Sequence, residues 1–201
     1  MAAARLPAVR RVGGGRIVVF DRKHLPGEHL VPENWIDQTP AGNVLLSDPR
    51  VSFVTVRLKG RSVELVAKNV LPLPNIYSSN AFIEARILNE LRSKGFLVEK
   101  PIGVYLSPGR RILFTEKIVG ASLSELLVKM SERQQNAAFL KMEYLRKSLR
   151  RVGLDPVDLK PPHIIVDRRG RWHIIDVEFF VSNSPFVKKK EKQWRFSAGG
   201  A

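Results

Sequence analysis

The most constraining feature of the sequence lies between Asp158 and Asp176. Ile164–Val166 and Trp172–Ile175 are short apolar runs, and Arg168-Arg169-Gly170 stands between them as a turn. A strand–turn–strand of this length returns the chain to where it started. Asp158 and Asp176 flank it, 18 positions apart, so the predicted hairpin brings both carboxylates to one end of a small sheet. Lys160 follows Asp158 by two residues. Two acids converging beside a lysine suit the binding of Mg²⁺ and the handling of phosphate.

The rest of the chain has to supply a core for that hairpin, and 201 residues suffice for one domain or two small lobes. Residues 1–15 are small, basic and glycine-rich, and read as a flexible arm. Arg16–Phe20 reads as a strand, and 43–46 as a further one. Residues 51–70 carry an alternating β-type pattern broken at Lys59-Gly60-Arg61, the signature of a hairpin. Pro72 and Pro74 then interrupt the chain. Ser79–Lys94 has Ile83, Ile87, Leu88 and Leu91 at helical spacing. Ser78, Ser79 or Asn80 can cap it, and Gly95 stops it. Ile102–Leu106 and Arg111–Lys117 read as strands around Ser107-Pro108-Gly109. Ser122 and Glu125 form a capping-box pattern that opens a helix over Leu123–Met130. A second, basic helix is predicted over Ala137–Val152, with Arg133 just before it. Its expected apolar face is Leu140, Tyr144, Leu145, Leu149 and Val152.

In this order the residues resemble the protein-kinase-like fold. Asp158-Leu159-Lys160-Pro161-Pro162-His163, a strand, then Asp176-Val177-Glu178 resemble that fold's catalytic loop and metal-binding strand. Val66-Ala67-Lys68 resembles the motif on its third strand. The resemblance implies an α+β, two-lobed fold. Its N-terminal lobe, residues 1–117, would be an antiparallel sheet plus one helix. Its C-terminal lobe, residues 118–201, would be helical and shortened, since 25 residues follow Asp176. It implies ATP- and Mg²⁺-dependent phosphoryl transfer to a hydroxyl. Lys68 would hold the nucleotide phosphates and Glu84 would pair with Lys68. The backbone around Glu116 and Ile118 would meet the base. Asp158 and Lys160 would be catalytic. Asp176, with His163 and Glu178, would hold the metal. Several positions depart from the pattern. No Gly-x-Gly-x-x-Gly precedes Lys68, so a phosphate-covering loop would come from other residues, around Thr39–Asn43. His163 stands at the usual asparagine position, and Val177-Glu178 replaces Phe-Gly. The compact ending and the histidine resemble the lipopolysaccharide core kinases, RIO-type kinases and small archaeal kinases.

Charge supports a second reading. Lys and Arg total 34 against 19 Asp and Glu, a formal charge of +15. Such a balance suits a polyanion. Arg146, Lys147, Arg150 and Arg151 on the basic helix could contact phosphates, as could the 186–201 tail, where Trp194 and Phe196 add stacking groups. The alternative function is therefore a non-catalytic kinase-like module that binds nucleic acid or an acidic partner. A third is a metal-dependent nuclease using Asp158, Asp176 and Glu178. The absence of cysteine excludes disulfides, zinc–thiolate sites and thiol catalysis. No apolar window long enough for a membrane helix occurs, and a cytoplasmic location is expected.

Overall fold

A computed structural model of the chain describes residues 8–12, 15–19, 51–58, 61–69, 81–107, 110–177 and 180–182. They fall into two units, one within 1–92 and 99–118, the other within 93–98 and 119–201. The chain is α+β, an antiparallel-sheet protein with few helices.

The first unit carries β1 (Ala8–Val12), β2 (Gly15–Val19), β3 (Val51–Leu58), β4 (Arg61–Asn69), α1 (Ala81–Ser93), β5 (Pro101–Ser107) and β6 (Arg110–Glu116). Among the described residues its six strands form one sheet in the order β1-β2-β5-β6-β4-β3, antiparallel throughout. Residues 8–12 were expected in a flexible arm. They instead pair with β2 in register from Ala8↔Val19 to Val12↔Gly15, because ladder hydrogen bonds satisfy backbone groups that the basic composition says nothing about.

Period-2 alternation builds the core. Ile17 and Val19 of β2, Leu65 and Ala67 of β4, and Ile112 and Phe114 of β6 are buried together with Ile102 and Tyr105. Cross-strand register sets the rows: Ile17 opposes Tyr105, which opposes Ile112, and Phe114 opposes Ala67. The intervening residues Val18, Val104, Leu113 and Lys68 are buried as well, so the sheet is covered on both faces. Helix α1 buries Ala81, Glu84, Ala85, Ile87, Leu88 and Leu91; of the expected face Ile87, Leu88 and Leu91 are buried and Ile83 is half-buried. It ends before Gly95, whose φ of 85° is a left-handed conformation that glycine adopts without steric cost.

The second unit carries β7 (Gly120–Ser122), α2 (Leu123–Leu127), α3 (Glu132–Arg151), β8 (Leu154–Pro156), a 3-10 turn (Pro161–His163), β9 (Ile164–Asp167), β10 (Trp172–Ile174) and β11 (Phe180–Ser182). The predicted hairpin is β9–β10, with Trp172 opposite Val166 and Ile174 opposite Ile164. β7 adds to its other edge, and β8 pairs with β11. Gly120 lies opposite Asp167, and a Cβ there would sit 2.3 Å from the Val166 carbonyl oxygen, so the β7–β9 approach requires glycine.

The Ser122–Glu125 capping box is present. The Glu125 amide donates to Ser122 Oγ and the Ser122 amide donates to Glu125 Oε2. The helix it opens stops at Leu127 rather than Met130. A second capping box, Ser131–Gln134, starts α3 at Glu132, five residues before the expected 137 and with Arg133 inside the helix. The apolar face of α3 also differs from expectation. Leu149 is buried as foreseen, but its companions are Ala138 and Met142. Leu140 is 73% exposed and Tyr144 67% exposed. The 138, 142, 145, 149 row keeps the 3.6-residue period; Leu140 and Tyr144 belong to a second row on the outward side.

The expected strand at 43–46, the caps at 78–80, the proline break, the 39–43 loop, Glu178 and the 186–201 tail lie outside the described residues.

Candidate functional site

In the first unit, strand alternation turns Lys68 away from Leu65 and Ala67. Its Nζ meets Glu84 Oε1 of α1 at 3.2 Å, and both side chains are buried. Glu84 stands in the first turn of α1, where the helix dipole favours a negative charge. The pairing predicted for these residues is therefore formed. A buried ion pair is a weak source of net stability, since desolvation offsets most of the attraction.

Glu116 ends β6 opposite Leu65 and donates its backbone N–H to the Lys100 carbonyl at 2.9 Å. Ile118 follows, half-buried, two residues beyond the strand. Between them Lys117 is held by Glu64 at 2.8 Å and lies over the Phe53 ring at 4.2 Å. One polar pair escaped the sequence reading: Thr115 Oγ donates to Glu99 Oε2 at 2.6 Å, with both residues buried. No spacing rule connects them; the β5–β6 register does.

In the second unit, Asp158, Lys160, His163 and Asp176 come together. The loop after β8 carries Asp158, half-buried, and exposed Lys160, whose Nζ lies 3.2 Å from Asp158 Oδ2. Buried Leu159 anchors this loop, and Arg146 of α3 donates to its carbonyl. Pro161 and Pro162 then start the 3-10 turn, where their fixed φ and missing N–H cost least. The turn ends at His163, which is held at three points. Its N–H donates to the Lys160 carbonyl at 2.9 Å, its carbonyl accepts from the Ile175 N–H at 2.9 Å, and Nδ1 sits 2.8 Å from the Asp158 carbonyl oxygen. Nε2 lies 3.8 Å from Asp176 Oδ2.

Asp176 has φ 57°, the left-handed region that residues other than glycine rarely adopt. Aspartate tolerates it better than most, and such strain concentrates where a side chain must be aimed. Among the described residues no group of three or more His, Asp or Glu side chains is placed to hold a metal ion. The donor chemistry fits a divalent cation in part: Asp176 offers carboxylate oxygen and His163 an imidazole nitrogen, leaving further positions for phosphate oxygens and water.

The β9–β10 turn is a separate cluster. Asp167 Oδ1 accepts the Arg169 and Arg171 amides at 2.9 Å. Oδ2 takes Arg171 Nε at 2.8 Å and His173 Nε2 at 3.0 Å. Burial pushes the Asp167 carboxyl up, but the bonds from His173, Arg171 and Arg169 outweigh it and hold the group well below the usual carboxylate range. His173 is thus tied to the β9–β10 turn through Asp167.

The four basic positions on α3 do not act alike. Arg146 is engaged with Glu143 and with the Leu159 carbonyl, and Arg150 pairs with Asp155 at 3.1 Å. Lys147 and Arg151 are exposed. Lys141 lies over the Trp172 ring at 4.2 Å.

These features define an α+β protein with a buried lysine–glutamate pair in one unit and a loop-borne acid–lysine–histidine–acid set in the other. No protein family and no curated protein matches the chain. Among solved structures it is similar to the kinase PK-1 of Cydia pomonella granulovirus, at 14% identity and a TM-score of 0.49, over 65% of this chain and 48% of that one. The chain thus matches about half the length of that kinase. No described helix is long and apolar enough to cross a membrane.

Proposed function

We infer that the protein is a phosphotransferase that moves the γ-phosphoryl group of ATP, with Mg²⁺ or a similar divalent cation, to an acceptor hydroxyl. The observation that carries this reading is the buried Lys68–Glu84 pair at 3.2 Å. It holds a cation at a fixed position in an apolar setting, where a nucleotide phosphate gains most from it. In this reading Glu84 positions Lys68, and Lys68 binds the α- and β-phosphates. Backbone groups at Glu116 and Ile118 meet the base. Asp158 orients the acceptor hydroxyl, and Lys160 offsets charge on the phosphoryl oxygens. Asp176, with His163 and Glu178, supplies protein ligands to the cation. The cation neutralises charge on the phosphates. Phosphoryl transfer depends on positioning and electrostatics, so fixed lysines and oriented carboxylates are the parts the protein must provide.

The test is a thermal-shift titration with ATP and Mg²⁺, with GTP and metal-free controls. Wild type should show a metal-dependent rise in Tm, and a ligand at 100 times its Kd adds about 2.7 kcal/mol. Lys68→Met and Asp176→Ala should each abolish it while keeping the far-UV spectrum. No shift at millimolar ATP would defeat the reading.

A second reading, polyanion binding without catalysis, draws on the exposed Lys147 and Arg151 of α3 and the +15 charge. The engagement of Arg146 and Arg150 narrows the surface that could serve it.

A further inference from the structure

The metal end of the proposed site has a chemical bias, set by His163. Its Nδ1 lies 2.8 Å from the Asp158 carbonyl oxygen. That oxygen has no hydrogen to donate, so Nδ1 carries the proton in this bond. The neutral ring then has its lone pair on Nε2. Two backbone hydrogen bonds hold the residue on either side, to the Lys160 carbonyl and from the Ile175 N–H. The imidazole is therefore oriented, with Nε2 on the side of the ring that lies 3.8 Å from Asp176 Oδ2.

The 3.8 Å between these atoms is too long for a hydrogen bond. It is close to the spacing of two ligands on one cation. Ligands at about 2.1 Å lie roughly 3.0 Å apart at right angles and about 3.4 Å apart at tetrahedral angles. The two atoms reach those spacings by approaching about 0.4 to 0.8 Å, a side-chain adjustment.

Nitrogen and oxygen donors do not serve all divalent cations alike. Mg²⁺ is hard, prefers an all-oxygen octahedron and gives up water reluctantly. Imidazole suits the first-row transition cations, whose affinity for such ligands rises along the series from Mn²⁺. We propose that His163 Nε2 and Asp176 Oδ2 jointly ligate a first-row transition cation, with Mn²⁺ the probe ion, in preference to Mg²⁺, so that His163 determines the metal specificity of the site. This proposal deepens the phosphotransferase reading and rests on it for the nucleotide, but not for the metal contact itself.

The experiment uses the full chain with Mn²⁺, with and without a non-hydrolysable ATP analogue, and Mg²⁺ as competitor. Pulsed EPR should detect ¹⁴N coupling to bound Mn²⁺ in the wild type, a readout that needs no variant. Mn²⁺ should outcompete Mg²⁺. His163→Asn should lose the coupling and lower the Mn²⁺-to-Mg²⁺ affinity ratio by about tenfold or more. Bound Mn²⁺ without ¹⁴N coupling, an unchanged ratio in a folded His163→Asn, or no Mn²⁺ binding would each overturn the proposal. If the analogue binds with Mg²⁺ and His163→Asn changes nothing, the metal preference fails and the phosphotransferase reading survives. If Mn²⁺ binds through His163 but no nucleotide binds, the reverse holds.

Discussion

Lys68 and Asp167 show how differently two buried or half-buried charges can be used. Lys68 meets Glu84 across strand and helix, and removing one partner of such a pair leaves an uncompensated charge costing about 3–5 kcal/mol. Asp167 instead gathers four hydrogen bonds at the end of a hairpin, all local in sequence. Its folded pKa lies below the unfolded value near 3.9, so its stabilising effect is fully present above about pH 4 and is lost as the pH falls toward the folded value. Asp167→Asn should therefore lower Tm at pH 7. Between pH 4 and pH 2 the variant should lose less stability than wild type. Parallel melting curves for the two proteins across that range would contradict the assignment. The Lys68–Glu84 pairing is one that the resemblance to the kinase-like fold implied, whereas no motif pointed to Asp167. The Glu99–Thr115 bond was not legible in the sequence, because it depends on strand register rather than on spacing along the chain.

At the scale of elements, α3 separates what hydrophobic pattern reveals from what it leaves open. Its sequence carries two apolar rows, one through Ala138, Met142 and Leu149 and one through Leu140 and Tyr144. Both satisfy helical periodicity. Only packing selects the first, where the helix meets β8 and Lys94 donates to the Val152 carbonyl at its C-terminal end at 2.8 Å. Leu149→Ala should cost about 2–5 kcal/mol in urea unfolding. Leu140→Ala should change stability by no more than about 0.5 kcal/mol. Equal effects would place the buried face wrongly. The start of α3 is a related case, since Ser131 and Gln134 carry a capping box as plain as that at Ser122. The polar first turn between Glu132 and Asn136 has no apolar stripe to mark it as helix, and the cap was the signal that could have found it.

For the whole molecule, the net charge of +15 sets behaviour that neither unit determines alone. If a polyanion binds through Lys147, Arg151 and the other cations, affinity for a single-stranded RNA should fall steeply between about 50 and 200 mM salt. Lys147→Glu with Arg151→Glu should weaken binding and flatten the salt slope, as measured by fluorescence anisotropy. Binding that ignores salt, or a slope the double variant leaves unchanged, would remove the polyanion reading and leave the basic surface as solvated charge. The ATP·Mg²⁺ titration is read separately from this outcome, because its variants fall at Lys68 and Asp176 rather than on α3.

The sequence by itself determined the α+β alternation of elements, the β3–β4 and β9–β10 hairpins, the stop at Gly95 and the first capping box. These follow from short-range rules: side-chain period, turn residues and cap chemistry act within a few positions of one another. The tertiary structure alone decided that 8–12 forms a strand, which row of α3 is buried, that Arg146 serves the Leu159 carbonyl, and that His163 is held by the Asp158 carbonyl 3.8 Å from Asp176. Each of these depends on contacts between segments that local pattern does not couple. A carbonyl met across a loop, or a strand edge waiting for a partner, exists only once the chain has closed on itself.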